Sequence, residues 1–295
     1  MSPTNQIPIV DICNLTDFRE DDILVSRFAD YLKAHHNLCS AHRHTFYHLL
    51  LFTKGGGSHT IDFSNFPVIP YQIYFMVPGQ VHSWSFEGEV DGYVINFSTS
   101  FFQSFLLRPD YLESFSFFNG IAEDGVIQLQ DEIKDTIIHI FEETIRQLQQ
   151  INTISRDLVR VLLLQAFIEI EKHTQVYKLP GVPAFNYTLL KNFQKLVEKQ
   201  YISLKRPMDY AGLLYITPNH LNALCKEHLG ITAGEVIRNR VLLEAKRMLV
   251  NQNQSISEIS YALNFSDNSY FTKFFKKYEG ITPEEFRKKT SQVLL

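Results

Sequence analysis

Two groups of side chains in this 295-residue chain have the type and spacing to do chemistry. The first is a set of histidines: His42, His44 and His48 close together, then His82 after Pro78-Gly79-Gln80-Val81. Neutral imidazole binds Zn, Fe, Ni or Cu, and residues two apart on a strand share a face, so His42 and His44 would point the same way. A single histidine on a strand is more often packed or hydrogen-bonded than a ligand. The second group is a doubled polar pattern. Asn219, His220, Asn222, Ala223 and Lys226 precede Gly230-Ile231-Thr232; Asn268, Ser269, Thr272, Lys273 and Lys276 precede Gly280-Ile281-Thr282. The major groove of DNA displays donors and acceptors that Asn, Ser, Thr and Lys can pair with, and Lys also neutralises phosphate.

The doubled pattern needs helices to display it. The two glycines lie 50 residues apart, and Leu221 pairs with Phe271, Leu224 with Phe274 and Lys226 with Lys276 at that offset. A repeat of this length is one supersecondary unit used twice. Each copy reads as helix, short turn, helix. In the second, Ser255-Ile256-Ser257-Glu258 predicts a capped start and Ile259, Ala262 and Leu263 a buried stripe. Asn264 ends that helix, since Asn tolerates the left-handed conformation, Phe265 plugs the junction, and Ser266-Asp267 caps the next. That next helix buries Phe271, Phe274 and Phe275. In the first copy Thr217 is the cap and Pro218 the first helical residue. From residue 186 onward the pattern is helical throughout, with a long helix over 233–249 between the two copies and 283–289 closing the domain.

The histidines fall in strand-like sequence. Residues 22–33 suggest a short helix, after which strands and turns take over. Residues 47–52 are a dense apolar run, 54–58 a glycine turn, and 59–63 the returning arm of a hairpin. Residues 73–77, 81–86 and 92–97 add three strands. Short strands between Gly and Pro turns predict a β-sandwich or barrel. Two helices follow, over 128–149 and 155–173, the second with Leu158, Val161, Leu162, Gln165 and Ile168 on one side. Its apolar arc is wide enough to need a second neighbour, either within the chain or the same helix of another subunit. Two prolines and a glycine within 180–183 place a linker at 174–185.

Charge divides along the same line. Residues 1–180 carry 12 Lys+Arg against 22 Asp+Glu, and residues 181–295 carry 16 against 10. A basic C-terminal part joined to an acidic N-terminal one points to a nucleic-acid contact at the basic end. Three scattered cysteines, Cys13, Cys39 and Cys225, argue against disulfides and a zinc finger. No signal-like start or bilayer-length apolar run is present in the sequence, which predicts a soluble, cytoplasmic protein with no membrane partner.

Residues 186–295 resemble the DNA-binding domain of the AraC/XylS family of bacterial transcription regulators. The match is carried by residues 208–229, 243–249, 256–277 and 280–287. The resemblance implies seven helices and two recognition helices in successive major-groove segments. It places Asn219, Asn222 and Ala223 at bases in the first, and Asn268, Ser269 and Lys273 in the second. Where the family usually has Gly this chain has Asn264, and Ala223 stands where a larger polar residue is frequent. The second copy then reads as the stronger anchor and the first as the finer reader. The N-terminal half is similar to the cupin-like effector domain of many such regulators. In metal-binding cupins two His, a Glu and a later His hold an ion; His42, His44, His48 and His82 stand at those places, with His48 replacing Glu.

The fold expected is α+β and two-domain: a cupin-like β-barrel with trailing helices over 1–173, a linker, and an all-α domain over 186–295. The function expected is a sequence-specific regulator of transcription, an activator, acting on double-stranded promoter or operator DNA and through RNA polymerase. A small effector would bind near His42, His44, Phe46, His48, Tyr74, His82 and Trp84, with Phe86 as further wall. The aromatic faces admit a carbohydrate there. The helices over 128–173 would form a homodimer, and no cofactor is called for. The alternative from another class is a metal-dependent cupin enzyme fused to a helical domain, with the four histidines as its metal set. A non-specific architectural DNA binder is a third reading, set apart by strong salt dependence with little sequence preference.

Overall fold

The computed structural model describes residues 7–12, 15, 23–35, 40–103, 105–108, 110–150, 152–178, 184–250 and 254–293. The chain forms two compact units, Pro8–Lys178 and one built on Leu179–Leu295. Cys13 and Cys39 lie outside the described residues, while Cys225 is a free, buried thiol.

Among its described residues the first unit holds ten strands: β1 (Ile9–Val10), β2 (Ile23–Arg27), β3 (His42–His44), β4 (Tyr47–Lys54), β5 (Gly57–Ile61), β6 (Ser64–Pro67), β7 (Gln72–Met76), β8 (Val81–Phe86), β9 (Asp91–Phe97) and β10 (Val126–Gln128). They form two five-stranded sheets, ordered β1-β3-β8-β5-β6 and β10-β7-β4-β9-β2. Among the helices are α1 (Phe28–Ala34), α2 (Ser100–Gln103), α3 (Ala122–Gly125), α4 (Asp131–Leu148) and α5 (Thr153–Lys178).

Alternation along the central strands builds two cores. In β4, Leu50 and Phe52 face inward and join Tyr74, Met76, Val94, Ile61, Trp84 and Phe28 between the sheets. Leu49 and Leu51 face the other way and join Ile73, Phe75, Tyr93, Ile95 and Phe97 against α4 and α5. A strand covered on both faces loses its polar alternation, which is why residues 47–52 and 73–77 read as solid apolar runs.

Several expectations are corrected here. Residues 59–63 do not return beside 47–52. β5 pairs with β6 and β8 in one sheet, whereas β4 pairs with β7 and β9 in the other. The chain changes sheets through the glycines. Gly57 has φ +93°, and a Cβ there would sit 2.1 Å from the Ser85 carbonyl oxygen, so only glycine lets the strands close at this point. The helix expected over 22–33 is a strand first. Ile23–Arg27 pairs with β9, its β-branched residues fitting a sheet edge, and α1 begins only at Phe28. Likewise the start of the helix expected from 128 is taken by β10, which pairs with β7. The linker expected at 174–185 is helical at both ends, since α5 continues through Lys178 and the next helix opens at Ala184; residues 179–183, with both prolines, lie outside the described residues.

The two apolar faces of α5 are used differently. Its buried side is Val159, Leu163, Ala166, Phe167 and Ile170, while Leu158, Val161 and Ile168 are exposed. Phe167 decides this: its ring meets Phe75, Phe97, Phe102, Phe115, Phe117 and Phe118. Aromatic contact of that extent outweighs the near-equal aliphatic content of the two faces.

Among the described residues the second unit has seven helices, the number the resemblance implies: α6 (Ala184–Gln200), α7 (Pro207–Leu213), α8 (Pro218–Leu229), α9 (Ala233–Val250), α10 (Ile256–Ala262), α11 (Asn268–Glu279) and α12 (Pro283–Val293). Leu190, Phe193, Tyr210, Leu221, Leu224, Cys225 and Ile237 form a core that fixes α6, α7, α8 and α9 together. Among the described residues no helix is long and apolar enough to cross a membrane.

Candidate nucleic-acid interface and effector site

The two helix pairs, α7/α8 and α10/α11, use one set of local devices. Thr217 caps α8 by accepting from the His220 N–H at 3.1 Å, and Asp267 caps α11 by accepting from Tyr270 N–H at 2.7 Å. Gly230 and Gly280 close those helices in the left-handed conformation, at φ +73° and +79°. Thr232 with Glu235 and Thr282 with Glu285 form matching reciprocal boxes, each at 2.7, 2.8 and 3.2 Å. Ser255 and Glu258 form the box at α10.

The turns differ. Asn264 is left-handed at φ +56°, as its residue type predicts, but the first turn places Tyr215 at the same φ. Ile216 donates to Ala211 O and Phe265 to Ser260 O, both at 3.0 Å, so these are equivalent turn positions 49 residues apart. The caps are 50 apart; the second turn is therefore one residue longer, at Ser266. Tyr215 was not singled out by sequence, because Tyr carries no preference for positive φ.

The outer faces are displayed in part. Asn219, His220, Ala223 and Lys226 are exposed on α8, and Ser269, Lys273 and Lys276 on α11. Asn219, Ala223 and Lys226 line one concave surface with Pro207, Thr232 and Gly234, and Ser269 and Lys273 line another with Ser266, Asp267 and Tyr270. Three expected readers are partly withdrawn. Asn222 is half-buried, and its Oδ1 accepts the Ala233 N–H at 3.1 Å, at the first turn of α9. A bidentate Asn–adenine contact needs both amide groups, and the Asn222 Oδ1 already holds one N–H, which fixes the amide and restrains such a contact. Thr272 is half-buried, as is Asn268, whose Oδ1 has no hydrogen-bond partner. In the packing stripes, Phe274 is half-buried and Ala262 exposed; Ser260 is buried beside Ile259 instead and reaches the Asp267 carbonyl at 3.2 Å.

The two pairs are tied into one frame. Lys205 Nζ donates to Leu263 O at 2.6 Å, joining the loop before α7 to the end of α10, and its burial lowers its pKa. Lys246 meets Glu279 at 3.1 Å, joining α9 to α11. Arg240 holds Glu198 at 2.7 Å and Glu244 at 3.1 Å and lies over the Tyr201 ring.

The N-terminal residues expected at the effector site converge between the sheets. His42 pairs across strands with His82, and His48 with Asn96. His42, His44, Phe46, His48, Tyr74, His82 and Trp84 are all buried. A fifth imidazole, His59 on β5, joins them; its signal was the His59–Ile61 alternation, obscured by the hairpin assignment. His82 Nε2 is 2.8 Å from His44 Nε2, and His82 Nδ1 is 3.1 Å from His59 Nε2. His42 Nδ1 lies 2.8 Å from the Ser40 carbonyl, and His48 Nδ1 meets Asn96 Oδ1. Tyr74 Oη meets Pro67 O at 2.9 Å.

Burial pushes every one of these imidazoles toward the neutral form. It lowers His48 to about 3, against the opposing Asn96 hydrogen bond. It takes His44, His59 and His82 well below the usual value, helped by the neighbouring imidazoles, and lowers His42. His42 Nε2, His44 Nδ1, His48 Nε2, His59 Nδ1 and Trp84 Nε1 are buried without a hydrogen-bond partner. Leaving a buried polar group unpaired costs about 1–3 kcal/mol, so these nitrogens favour a partner that can bond them. Phe86, the further wall residue, is half-buried and stacks on Trp84.

Comparison with known proteins fits this arrangement. Residues 29–167 match the AraC-like ligand binding domain, and residues 210–289 match a helix-turn-helix domain. A ligand-binding barrel followed by two helix-turn-helix pairs defines a class, the transcription regulators with an N-terminal sensing domain. Within it, the chain belongs to the AraC family. It is similar over most of its length to the HTH-type transcriptional activator RhaR of Mannheimia succiniciproducens, 23% identical over 266 residues, 83% of this chain and 86% of that one. It is 34% identical over 98 residues to the regulator GlxA of Rhizobium meliloti and 40% over 80 residues to YesN of Bacillus subtilis. Those matches span 30% and 22% of these two relatives. The crystal structure of ToxT from Vibrio cholerae O395 aligns over 90% of this chain and 97% of its own, at 16% identity and a TM-score of 0.43.

Proposed function

We propose that this chain binds a specific DNA operator through α8 and α11 and regulates transcription under the control of a small molecule held in its N-terminal barrel. The observation that carries this is the duplication itself: two equivalently capped helix pairs present polar and basic faces from one cross-braced unit. One such helix would be an ordinary solvent-facing surface; two fixed together can engage successive major-groove segments. Genomic footprinting of bound DNA is expected to yield one recurrent motif with two sub-sites about one helical turn apart. Absence of an enriched motif overturns the proposal.

The α5 surface supports a homodimer. Ile154, Leu158, Val161 and Ile168, exposed by 82%, 39%, 48% and 41%, form a seam with Gln165 at alternating steps of four and three. That spacing suits a helix-to-helix seam with one polar residue inside it. Sedimentation is expected to show a dimer that Leu158→Asp with Val161→Asp converts to monomer; an unchanged mass rejects this surface. Activation through RNA polymerase, in the cytoplasm, is the mode we infer from the similarity to RhaR, whose name describes an activator. Promoter fusions with and without the gene test its sign.

A further inference from the structure

We propose that a transition-metal ion binds in the barrel on His42, His44 and His82, and that this ion is the regulatory ligand; the second half rests on the reading of the barrel as the sensing domain. His42, His44 and His82 are 1%, 4% and 1% exposed, and each can offer a nitrogen such that all three lie within 4.8 Å of one another.

The hydrogen bonds orient the set. A carbonyl oxygen only accepts, so His42 Nδ1, facing Ser40 O, carries the proton and His42 Nε2 presents a lone pair. That Nε2 is buried with nothing to bond it. A ligating imidazole characteristically donates its other N–H to a carbonyl or similar acceptor. His82 has the same support on its far side from His59 Nε2, while its Nε2 faces the Nε2 of His44 at 2.8 Å. Two imidazole nitrogens on one tetrahedral ion with bonds near ~2.0–2.1 Å stand roughly 3.3 Å apart. Opening this pair by about half an ångström is therefore enough.

Size and chemistry favour an ion over an organic molecule at this point. The ring centroids of His42 and His82 are 4.2 Å apart, those of His42 and His44 4.7 Å, and those of His44 and His82 4.9 Å. Three neutral nitrogen ligands suit Zn(II), Ni(II), Co(II) or Cu(II), not Mg(II) or Ca(II), which take oxygen. The titratable groups acting on His82 are the other four imidazoles, all neutral. Among the described residues the set has three nitrogen ligands and no carboxylate, so a tetrahedral ion there keeps its charge and a fourth position for water or an anion. Such a site exchanges its ion, as a sensor must.

The test uses the full chain, stripped with a chelator and dialysed against Zn(II) or Co(II). We expect about one equivalent per chain and a visible Co(II) ligand-field band, with three nitrogen ligands and an open position. His82→Gln should weaken binding by more than roughly 100-fold, and His59→Ala, which removes only the support behind His82, by roughly 10–100-fold. His139→Ala, on the exposed side of α4, should leave it unchanged. Circular dichroism checks each fold, and His59→Ala with the Co(II) band decides if His82→Gln does not fold. Metal uptake far below one equivalent, or equal uptake by folded His59→Ala and His82→Gln, overturns the site. Zn(II) should change operator affinity by about tenfold, within the usual range of coupling; unchanged affinity overturns the regulatory role. Specific DNA binding without metal uptake leaves the regulator standing and removes the ion. Metal uptake without specific DNA binding does the reverse.

Discussion

The two units use their polar side chains in opposite ways. In the barrel, five imidazoles are turned inward and held neutral by burial. In the helical unit, Asn219, Ser269, Lys273 and Lys276 are turned outward on capped helices. Buried groups are governed by proton and ion binding inside a low-dielectric core. Exposed ones are governed by salt and by the partner. One chain can therefore hear one kind of signal and answer with another.

Acid should separate the units most sharply. A histidine whose folded pKa lies below its unfolded value takes up protons only on unfolding. Its stabilising effect is complete above the unfolded value near ~6.5 and is lost as pH falls toward the folded value, about 3 for His48. Each such group removes roughly 1.4 kcal/mol per pH unit in that window. Two of them over two units remove about 5 kcal/mol, comparable with a whole domain's stability. In chelator-treated protein the barrel should unfold between about pH 6 and 4, before the helical unit. Trp84, the chain's single tryptophan, reports the barrel by fluorescence, and far-UV circular dichroism the helices. Joint unfolding, or an intact barrel at pH 4, would break the contrast.

Asn222→Ala tests a residue that belongs to both sides. Loss of the Ala233 contact should cost about 1 kcal/mol of stability in the helical unit, the usual value of a cap. Loss of its NH2 should also weaken operator discrimination. A denaturant melt and a competition assay against non-operator DNA read the two effects, and a change in one without the other denies the dual role.

The resemblance places Lys273 at bases, yet its exposed ammonium can also act on phosphate through charge alone, and Lys273→Ala decides between the two. Binding should weaken similarly on all sequences, and the dependence of log affinity on log salt should flatten by about one. A loss confined to the operator would make Lys273 a reader of bases.

The two turns provide the smallest and finest comparison. Tyr215→Gly should stabilise the helical unit by about 1 kcal/mol, by relieving a left-handed residue with a bulky side chain. Asn264→Gly should gain only a few tenths, since Asn tolerates that region. Equal gains in thermal melts would mean that side-chain contacts, and not φ, set the cost.

The helical unit was legible because its signals are local. Caps at Thr217, Ser255 and Asp267, glycines 230 and 280, and the offset of 50 each act within a few residues, so the chain states them in order. Its misreadings are also local. Tyr215 is held left-handed by the turn around it, and Asn222 is drawn to a backbone N–H eleven residues on. In the barrel the strands were found but not their partners. Whether β5 lies beside β4 or β8 depends on a close approach at Gly57 to Ser85, which no short window contains. His59 went unnoticed for the same reason. Which face of α5 the core takes depends on six phenylalanines distant in sequence, which the helical period alone does not contain.

The bond from Asn222 to Ala233 also bears on how such a regulator can change its targets. In the proposed role on DNA, a side chain that faces the groove while fastening its helix to the neighbouring one is free in neither task. Variation at 222 would be filtered by stability before specificity is tried. On the same proposal, positions 219 and 223, exposed and without that tie, are where new operator preferences would be sampled at little structural cost.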